Sequence, residues 1–285
     1  KLELKELPNE DFWRNIREAY SISRTHINLN NAGVCPSPIV VQEAVEYYNR
    51  LSNEMPSYNM NRIVGRGKEP VRRSLAKMAD CSPEEITINR NATEGLETIV
   101  FGLNLKKGDE VVLSKYDYPS IISAWQQREL RDGIVLKWVD FKFPMEDNSL
   151  IVNAFSSQFT NRTKLVQITH IINWCGQILP VKEIATVAKK QGIEVLVDGA
   201  QTFGALDFKI SDLNCDYFGT SLHKWLCAPF GTGMLYIKKD KIANVFPLFG
   251  ASEPQSSDIR KFEHIGTRSL AIENAIKHAD VRSVL

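Results

Sequence analysis

Cysteine is scarce in this chain and is not arranged in pairs. The 285 residues include five cysteines, none with Cys-x-x-Cys spacing: Cys35, Cys81, Cys175, Cys215 and Cys227. An odd, scattered set argues against a disulfide framework and against a zinc site. We therefore expect free thiols, a reducing cytoplasmic location and no bound metal.

Long apolar runs and an excess of one charge are also lacking. No segment approaches about 18 consecutive apolar residues, and charges occur throughout the first ten residues, where an export signal would have an apolar stretch. The formal net charge is +1, and no block of like charges stands out. These features predict no membrane span and no nucleic-acid partner. Small molecules are the expected ligands.

What the sequence does contain is an alternation of strand and helix patterns from residue 84 onward. The predicted strands are 85–88, 110–113, 135–139, 164–168, 193–198, 216–218 and 233–237. Helices are predicted over 96–103, from residue 119, and over 181–188, because apolar residues recur there at helical spacing. This order is typical of an α/β fold with a mostly parallel sheet and crossover helices.

The other segments are predicted from local composition. Residues 26–29 resemble a strand, a polar connection precedes residue 164, and residues 251–258 resemble a linker. The Gly-rich basic loop 65–68 receives no role. We predict a helical arm over 1–24, a large domain over 25–270, and the start of a further helix over 271–285.

An acidic and a basic residue, 26 positions apart, carry the strongest functional signal. Asp198 ends a short apolar run, and Lys224 lies in the sequence Thr-Ser-Leu-His-Lys-Trp. Ligands in open α/β sheets collect outside the carboxyl ends of the strands, so Asp198 is expected to face a site. Pyridoxal phosphate (PLP) requires a lysine for its aldehyde and a carboxylate beside its pyridine nitrogen. The pair therefore predicts PLP as cofactor.

A phosphate-binding turn is predicted at the start of the helix that contains Leu96. The helix follows the turn 89–94, so its first N–H groups and the Thr93 hydroxyl can converge on an anion. Ser221 and His223 add donors beside Lys224. Each signal alone is weak, since Asn, Ser and Thr usually serve only as helix caps.

Together these residues resemble the class V aminotransferases, which are PLP enzymes of fold type I and include cysteine desulfurases and isopenicillin N epimerase-like proteins. The resemblance extends from about residue 27 to 267 and rests on four motifs: Ala92-Thr93-Glu94, Asp198-Gly-Ala-Gln201, Ser221-x-His223-Lys224 and Gly266-Thr267. It implies the large PLP-binding domain of that fold. It also implies that the small C-terminal domain lies outside this sequence.

The resemblance implies roles for individual residues. Lys224 binds the cofactor covalently and Asp198 pairs with the pyridinium. Thr93, Ser221 and His223 hold phosphate, together with the Ala92–Glu94 turn. Asn173 and Gln201 approach the phenolic oxygen, and the segment 31–33 lines the substrate side. Thr267 contacts the phosphate of a neighbouring subunit, which makes a homodimer the expected active unit.

The reaction class depends on Tyr118, which stands where many desulfurases have a histidine stacked on the pyridine ring. Tyrosine keeps a stacking face but does not titrate near neutral pH. Neither Cys175 nor Cys227 occupies the nucleophile position of a desulfurase. We therefore expect an amino-acid epimerase or aminotransferase. The alternatives are a cysteine desulfurase or C–S lyase, and a non-catalytic binding protein that keeps the PLP fold.

Overall fold

The alternation of strands and helices predicted from residue 84 onward is present in the computed structural model, which describes residues 9–279. The strands are β1 (Ile86–Asn89), β2 (Glu110–Ser114), β3 (Val135–Val139), β4 (Thr163–Thr169), β5 (Glu194–Asp198), β6 (Tyr217–Ser221) and β7 (Gly233–Ile237). Each of the seven predicted strands is found, within three residues at either end.

The helices cover both faces of this sheet. They are α1 (Glu10–Glu18), α2 (Ile39–Glu54), α3 (Pro56–Tyr58), α4 (Lys68–Ala79), α5 (Ala92–Gly102), α6 (Pro119–Asp132), α7 (Asn148–Ser156), α8 (Val181–Lys190) and α9 (Ala271–Ala275). A π-helical turn spans Asn59–Val64, and short 3-10 turns include Pro83–Glu85, Ile210–Leu213, Lys239–Asn244, Ile259–Glu263 and Ile276–Ala279. Within residues 9–279, no helix is both long and apolar enough to cross a membrane.

The strand order is β1-β7-β6-β5-β4-β2-β3, and the sheet is mostly parallel. Only β7 runs against its neighbours β1 and β6. The connection from β6 to β7 contains no crossover helix, and a short connection of this kind joins antiparallel strands. Lys224 lies on this connection, which is closed by a hydrogen bond of 3.0 Å from the Leu222 N–H to the Thr232 carbonyl.

The core forms two layers, one on each face of the sheet. Val195 and Val197 of β5 pack in one layer with α4, α7 and α8, whereas Leu196 packs in the other with α5 and α6. Such alternation follows from the two-residue period of a strand. Because both faces are covered, the central strands are apolar throughout, as expected for a parallel sheet.

Two local predictions are wrong. Residues 26–29 form no strand, and Ile27 and Leu29 are exposed. The Asn28 side chain there accepts the Asn30 N–H, a local bond that competes with strand pairing. The polar connection before residue 164 contains helix α7. Asp147 caps this helix, and it buries Ile151 and Phe155, four residues apart.

The termini are described in part. The predicted arm contains α1, none of whose residues is buried, and the predicted final segment begins with α9. Residues 1–8 and 280–285 of these predicted segments lie outside the described residues.

The basic loop 65–68 leads into a buried ion-pair network. Lys68 Nζ lies 2.7 Å from a carboxylate oxygen of Glu263, and Arg72 Nη1 lies 2.8 Å from the other oxygen. The same carboxylate accepts the Ile88 N–H at 3.0 Å, which links helix α4 to strand β1. Burial opposes the ionisation of Glu263, but Arg72 and Lys68 outweigh it and hold the Glu263 pKa at about 2.

Glu263→Gln should lower the free energy of unfolding at pH 7 by about 3 to 5 kcal/mol, because it removes the buried carboxylate charge that Arg72 and Lys68 share and leaves the buried Arg72 with only the partly exposed Glu69. Glu84→Gln is the matched control. It removes a half-exposed partner of Arg260 and should cost about 0 to 1 kcal/mol. The depressed pKa means that the carboxylate stabilises the fold above about pH 4.5 and that this stabilisation is lost as pH falls toward 2. Equal losses in urea unfolding of the two variants at pH 7 would contradict this role.

Candidate active site

A cavity of about 410 Å³ lies at the carboxyl ends of β4, β5 and β6, beside the start of α5. Parallel strand pairing fixes this arrangement, since Thr169 at the end of β4 is in register with Asp198 at the end of β5. Nine of the eleven predicted site residues line the cavity: Ala92, Thr93, Tyr118, Asn173, Asp198, Gln201, Ser221, His223 and Lys224. The structure therefore brings together residues that are far apart in sequence.

Asp198 and Lys224 both line this cavity, and burial shifts their pKa values in opposite directions. Asp198 is buried, and one of its carboxylate oxygens accepts the Ala200 N–H at 2.9 Å. Burial raises the pKa of Asp198, and the nearby Lys224 charge partly offsets the increase. Burial likewise lowers the pKa of Lys224, and Asp198 opposes the decrease. A lysine with a lowered pKa beside a buried carboxylate with a raised pKa, both lining a cavity, indicates a functional site.

The start of α5 provides donors on another side of the cavity. Its Asn91 cap accepts the Glu94 N–H at 2.9 Å, and Ser221 Oγ accepts the Ala92 N–H, also at 2.9 Å. The N–H of Thr93 has no hydrogen-bond partner among the described residues. Gly233 allows this close packing of α5 against β7, since a Cβ there would lie 2.7 Å from backbone atoms of Asn91. An anion would complete the bonding of this helix terminus.

A hydrogen bond from the imidazole ring to the backbone fixes the orientation of His223. Its Nδ1 lies 2.9 Å from the Thr232 carbonyl oxygen, which can only accept a hydrogen bond, so Nδ1 carries a proton. Burial lowers the pKa of His223. In the neutral ring Nε2 is therefore an acceptor, and His223 donates to an anion only when the anion favours the imidazolium form.

Gln201 joins three segments around the cavity. Its Nε2 donates to the Ala32 carbonyl at 3.0 Å, and its Oε1 accepts the Trp225 indole N–H at 2.8 Å. These bonds hold the segment Asn30–Gly33, which forms part of the cavity wall, next to the loop that carries Lys224. The position of this wall segment was predicted only from the family resemblance. No sequence pattern predicted the hydrogen bond from Trp225 to Gln201.

Tyr118 and Asn173 lie at the rim. Tyr118 precedes helix α6 and has 46% of its surface exposed, so it is not an ordinary core aromatic. Asn173 follows β4 in an exposed turn. Both side chains are accessible to a ligand in the cavity, but nothing in the described residues fixes either one by a side-chain hydrogen bond.

Two predicted residues do not line the cavity. The Glu94 carboxylate accepts the Arg90 N–H at 2.7 Å and pairs with the Arg90 guanidinium at 3.1 Å, so it closes the turn before α5. Thr267 is exposed in a separate depression beside Lys68 and Arg268. Its predicted contact with a neighbouring subunit remains a prediction.

A second buried carboxylate, Asp117, was missed by the sequence analysis. It accepts the Thr169 hydroxyl at 2.6 Å and the Ser114 N–H at 3.0 Å. Thr169 lines the cavity, so Asp117 lies directly behind the wall. Burial raises the pKa of Asp117 to about 6, and the Asp198 charge contributes. The local pattern around Asp117 resembles an ordinary turn, and only the sheet brings it near Asp198.

Asp117→Asn should change how stability depends on pH. The folded-state pKa of about 6 exceeds the ordinary value of 3.8, so the folded parent loses stability as pH rises from about 4 to 6. The shift corresponds to about 3 kcal/mol. The variant, relative to the parent, should therefore gain about that amount between pH 4 and pH 7 in urea unfolding of the cofactor-free protein. A difference that stays constant across this range would show that Asp117 does not titrate there.

Comparison with known proteins identifies the family. The family model for class V aminotransferases matches residues 27–268. The chain belongs to this family. A probable cysteine desulfurase from Synechocystis sp. is 31% identical over 268 residues, covering 90% of this chain and 62% of the relative. Isopenicillin N epimerase from Streptomyces clavuligerus is 28% identical over 276 residues, covering 90% and 69%.

Solved structures agree with this assignment. A variant of C-DES with glycine covalently linked to its PLP cofactor has a TM-score of 0.83 at 26% identity, over 92% of this chain and 72% of that chain. The cystine C–S lyase C-DES in complex with cysteine persulfide has a TM-score of 0.79 at 27% identity, over 88% and 70%. The fold is that of PLP-dependent fold-type I enzymes, and the cofactor of the family is PLP. The chain spans 62% and 55% of the length of two probable cysteine desulfurases that it matches.

Proposed function

We propose that this chain is the cofactor-binding part of a PLP-dependent enzyme that removes the α-hydrogen of an amino acid. The observation that carries the proposal is the buried Asp198 facing Lys224 across one cavity, with the pKa of each shifted toward its neutral form. The residues present fit the cofactor, because a lysine, a carboxylate and an anion-binding helix terminus converge on one space.

Each part of the cavity would hold a different part of the cofactor. The Thr93 N–H and hydroxyl, Ser221 and His223 would hold the phosphate at the start of α5. Asp198 would keep the pyridine nitrogen protonated, and Tyr118 would stack on the ring from the rim. Asn173 and the second N–H of Gln201 would approach the phenolic oxygen.

The protein's own groups then account for proton transfer. When bound, PLP supplies a ring that accepts the negative charge left on the substrate α-carbon. Lys224 would hold the cofactor aldehyde and, as a free amine, would accept the α-proton of the substrate. Its lowered pKa favours the neutral amine, which is the form that accepts a proton. Asp198 is buried at the end of β5, where little water screens its charge. Its attraction for a single cationic partner is therefore strong.

The sequence-based preference for epimerase or aminotransferase chemistry over desulfuration is not supported by the relatives. Those reported above include probable cysteine desulfurases as well as an isopenicillin N epimerase. C–S bond cleavage is therefore the second candidate, and the similarity to the cystine C–S lyase favours it. Both candidates begin with the same proton removal by Lys224. They differ in whether a sulfur substituent then leaves.

The test is exchange of the α-hydrogen of amino acids in heavy water, measured by NMR on the PLP-loaded protein. Lys224→Ala should lose exchange by more than about 100-fold, because the base is gone. Asp198→Ala should also lose most exchange while keeping its fold. Lys190→Ala, which removes an exposed lysine on α8, is the control and should match the parent.

The same reactions separate the candidates. Exchange without release of sulfide or persulfide from cysteine or cystine favours epimerase or aminotransferase chemistry, and rapid sulfur release favours C–S cleavage. A protein that binds PLP but exchanges no amino acid would contradict the proposal and favour a non-catalytic binding role.

We also propose that the active unit is a homodimer in which Thr267 serves the partner's cofactor. Its support is the resemblance of the Gly266-Thr267 turn and the exposed position of Thr267 outside its own cavity. Lys224→Ala and Thr267→Trp should each be inactive alone. Mixing them under conditions of subunit exchange should restore part of the activity, because some dimers contain one intact site. Mixtures that form heterodimers without recovering activity would contradict sharing.

A further inference from the structure

Two free cysteines meet behind the wall of the active-site cavity. Cys35 follows the wall segment Asn30–Gly33, and Cys227 follows Lys224 by three residues. The Cys35 thiol donates to the Asn31 carbonyl at 3.1 Å, and the Cys227 side chain is close enough to those of Cys35 and Tyr20 to interact with both. Neither cysteine lines the cavity.

Backbone contacts on both sides fix this meeting. The Cys35 N–H donates to the His223 carbonyl at 3.1 Å, and Ser37 Oγ donates to the Ala228 carbonyl at 3.0 Å. The Cys227 N–H donates to the Lys224 carbonyl, also at 3.0 Å. The two thiols therefore lie between paired segments that cannot separate without breaking these bonds.

The two thiols differ in exposure and acidity. Cys35 is buried, whereas Cys227 is partly exposed and has a left-handed backbone with φ of 55°. The neighbouring Cys35 and Tyr20 side chains lower the pKa of Cys227 to about 7 despite its burial. The Cys227 side chain and burial raise the pKa of Cys35. Cys227 is thus the more acidic thiol of the pair, and Cys35 keeps its proton at neutral pH.

We propose that Cys35 and Cys227 form an oxidation site at which a hydroperoxide converts the two thiols to a disulfide. This bond cross-links the cavity wall to the loop that carries Lys224. The site is distinct from the PLP chemistry, and its formation does not depend on the proposed function.

The chemistry balances in two steps. The Cys227 thiolate attacks one oxygen of the hydroperoxide, the O–O bond breaks, and the other oxygen leaves as an alcohol or water after taking a proton. Cys35 sulfur then attacks the Cys227 sulfenic acid, forming the S–S bond and breaking the S–O bond. The hydroxide that leaves takes the Cys35 proton as water. The thiol pair loses two electrons and the hydroperoxide gains them.

The experiment treats the purified protein with hydrogen peroxide, alkylates the remaining thiols and maps the peptides by mass spectrometry. We expect a cross-linked Cys35–Cys227 peptide that dithiothreitol separates, and it should form faster than oxidation of the exposed Cys175. Fully alkylated Cys35 and Cys227 in a sample whose Cys175 is oxidised would overturn the proposal.

Single variants test the separate roles. Cys35→Ser keeps a hydrogen-bond donor beside Cys227 but cannot form a disulfide, so it should leave Cys227 as a sulfenic acid that dimedone traps. Cys227→Ala should leave Cys35 largely unoxidised. In the unmodified protein the rate of Cys227 alkylation should reach half its maximum near pH 7. Dimedone labelling of Cys35 in the absence of Cys227, at the parent's rate of oxidation, would contradict the assignment.

Discussion

The burial of Asp198 opposite Lys224 is the interaction on which the account depends. A carboxylate without water needs a cation, and Lys224 is the group whose charge opposes the rise in the Asp198 pKa. The proposed covalent bond between Lys224 and the cofactor would alter that charge. A protonated pyridine nitrogen would then supply the partner that Asp198 requires, so burial that is costly for an unpaired carboxylate would favour binding of the cofactor.

The sheet makes this arrangement possible. Parallel pairing of β4, β5 and β6 brings Thr169, Asp198 and Ser221 to one edge, although they come from three separate segments. Strand β7 follows β6 after a short connection and runs antiparallel to it. Lys224 lies on this connection, whose two ends are joined by the hydrogen bond between Leu222 and Thr232. Helix α5 then directs its first N–H groups at the same space. The site is therefore a consequence of topology rather than of any one motif.

Much of this could be predicted because strong local patterns coincide with the fold. Each buried strand is a short apolar run, and α8 has apolar residues at helical spacing. Helix α7 was missed because its polar residues obscure the pair Ile151 and Phe155. Residues 26–29 have a strand-like alternation, but strands also need a partner, and side-chain bonds of Asn28 compete there. Pairing partners are not encoded locally.

The site was predictable to a similar extent. Asp198 and Lys224 line one cavity, because Asp198 ends β5 and Lys224 lies on the short connection that follows β6. Glu94 belongs to a matched motif, yet its carboxylate closes a turn with Arg90, since a motif does not state where each side chain points. Asp117 and the Cys35–Cys227 pair depend on contacts between distant segments. Burial and proximity give them their properties, and neither is visible in a single sequence.

Covalent mapping of the cofactor tests the role of Lys224 directly. The protein is incubated with PLP, reduced with borohydride and digested, and the pyridoxyl group is located by mass spectrometry. We predict modification at Lys224, and we expect Asp198→Ala to weaken PLP binding without changing which lysine is modified. A pyridoxyl group on another lysine, or equal labelling of Lys224→Ala, would contradict this prediction.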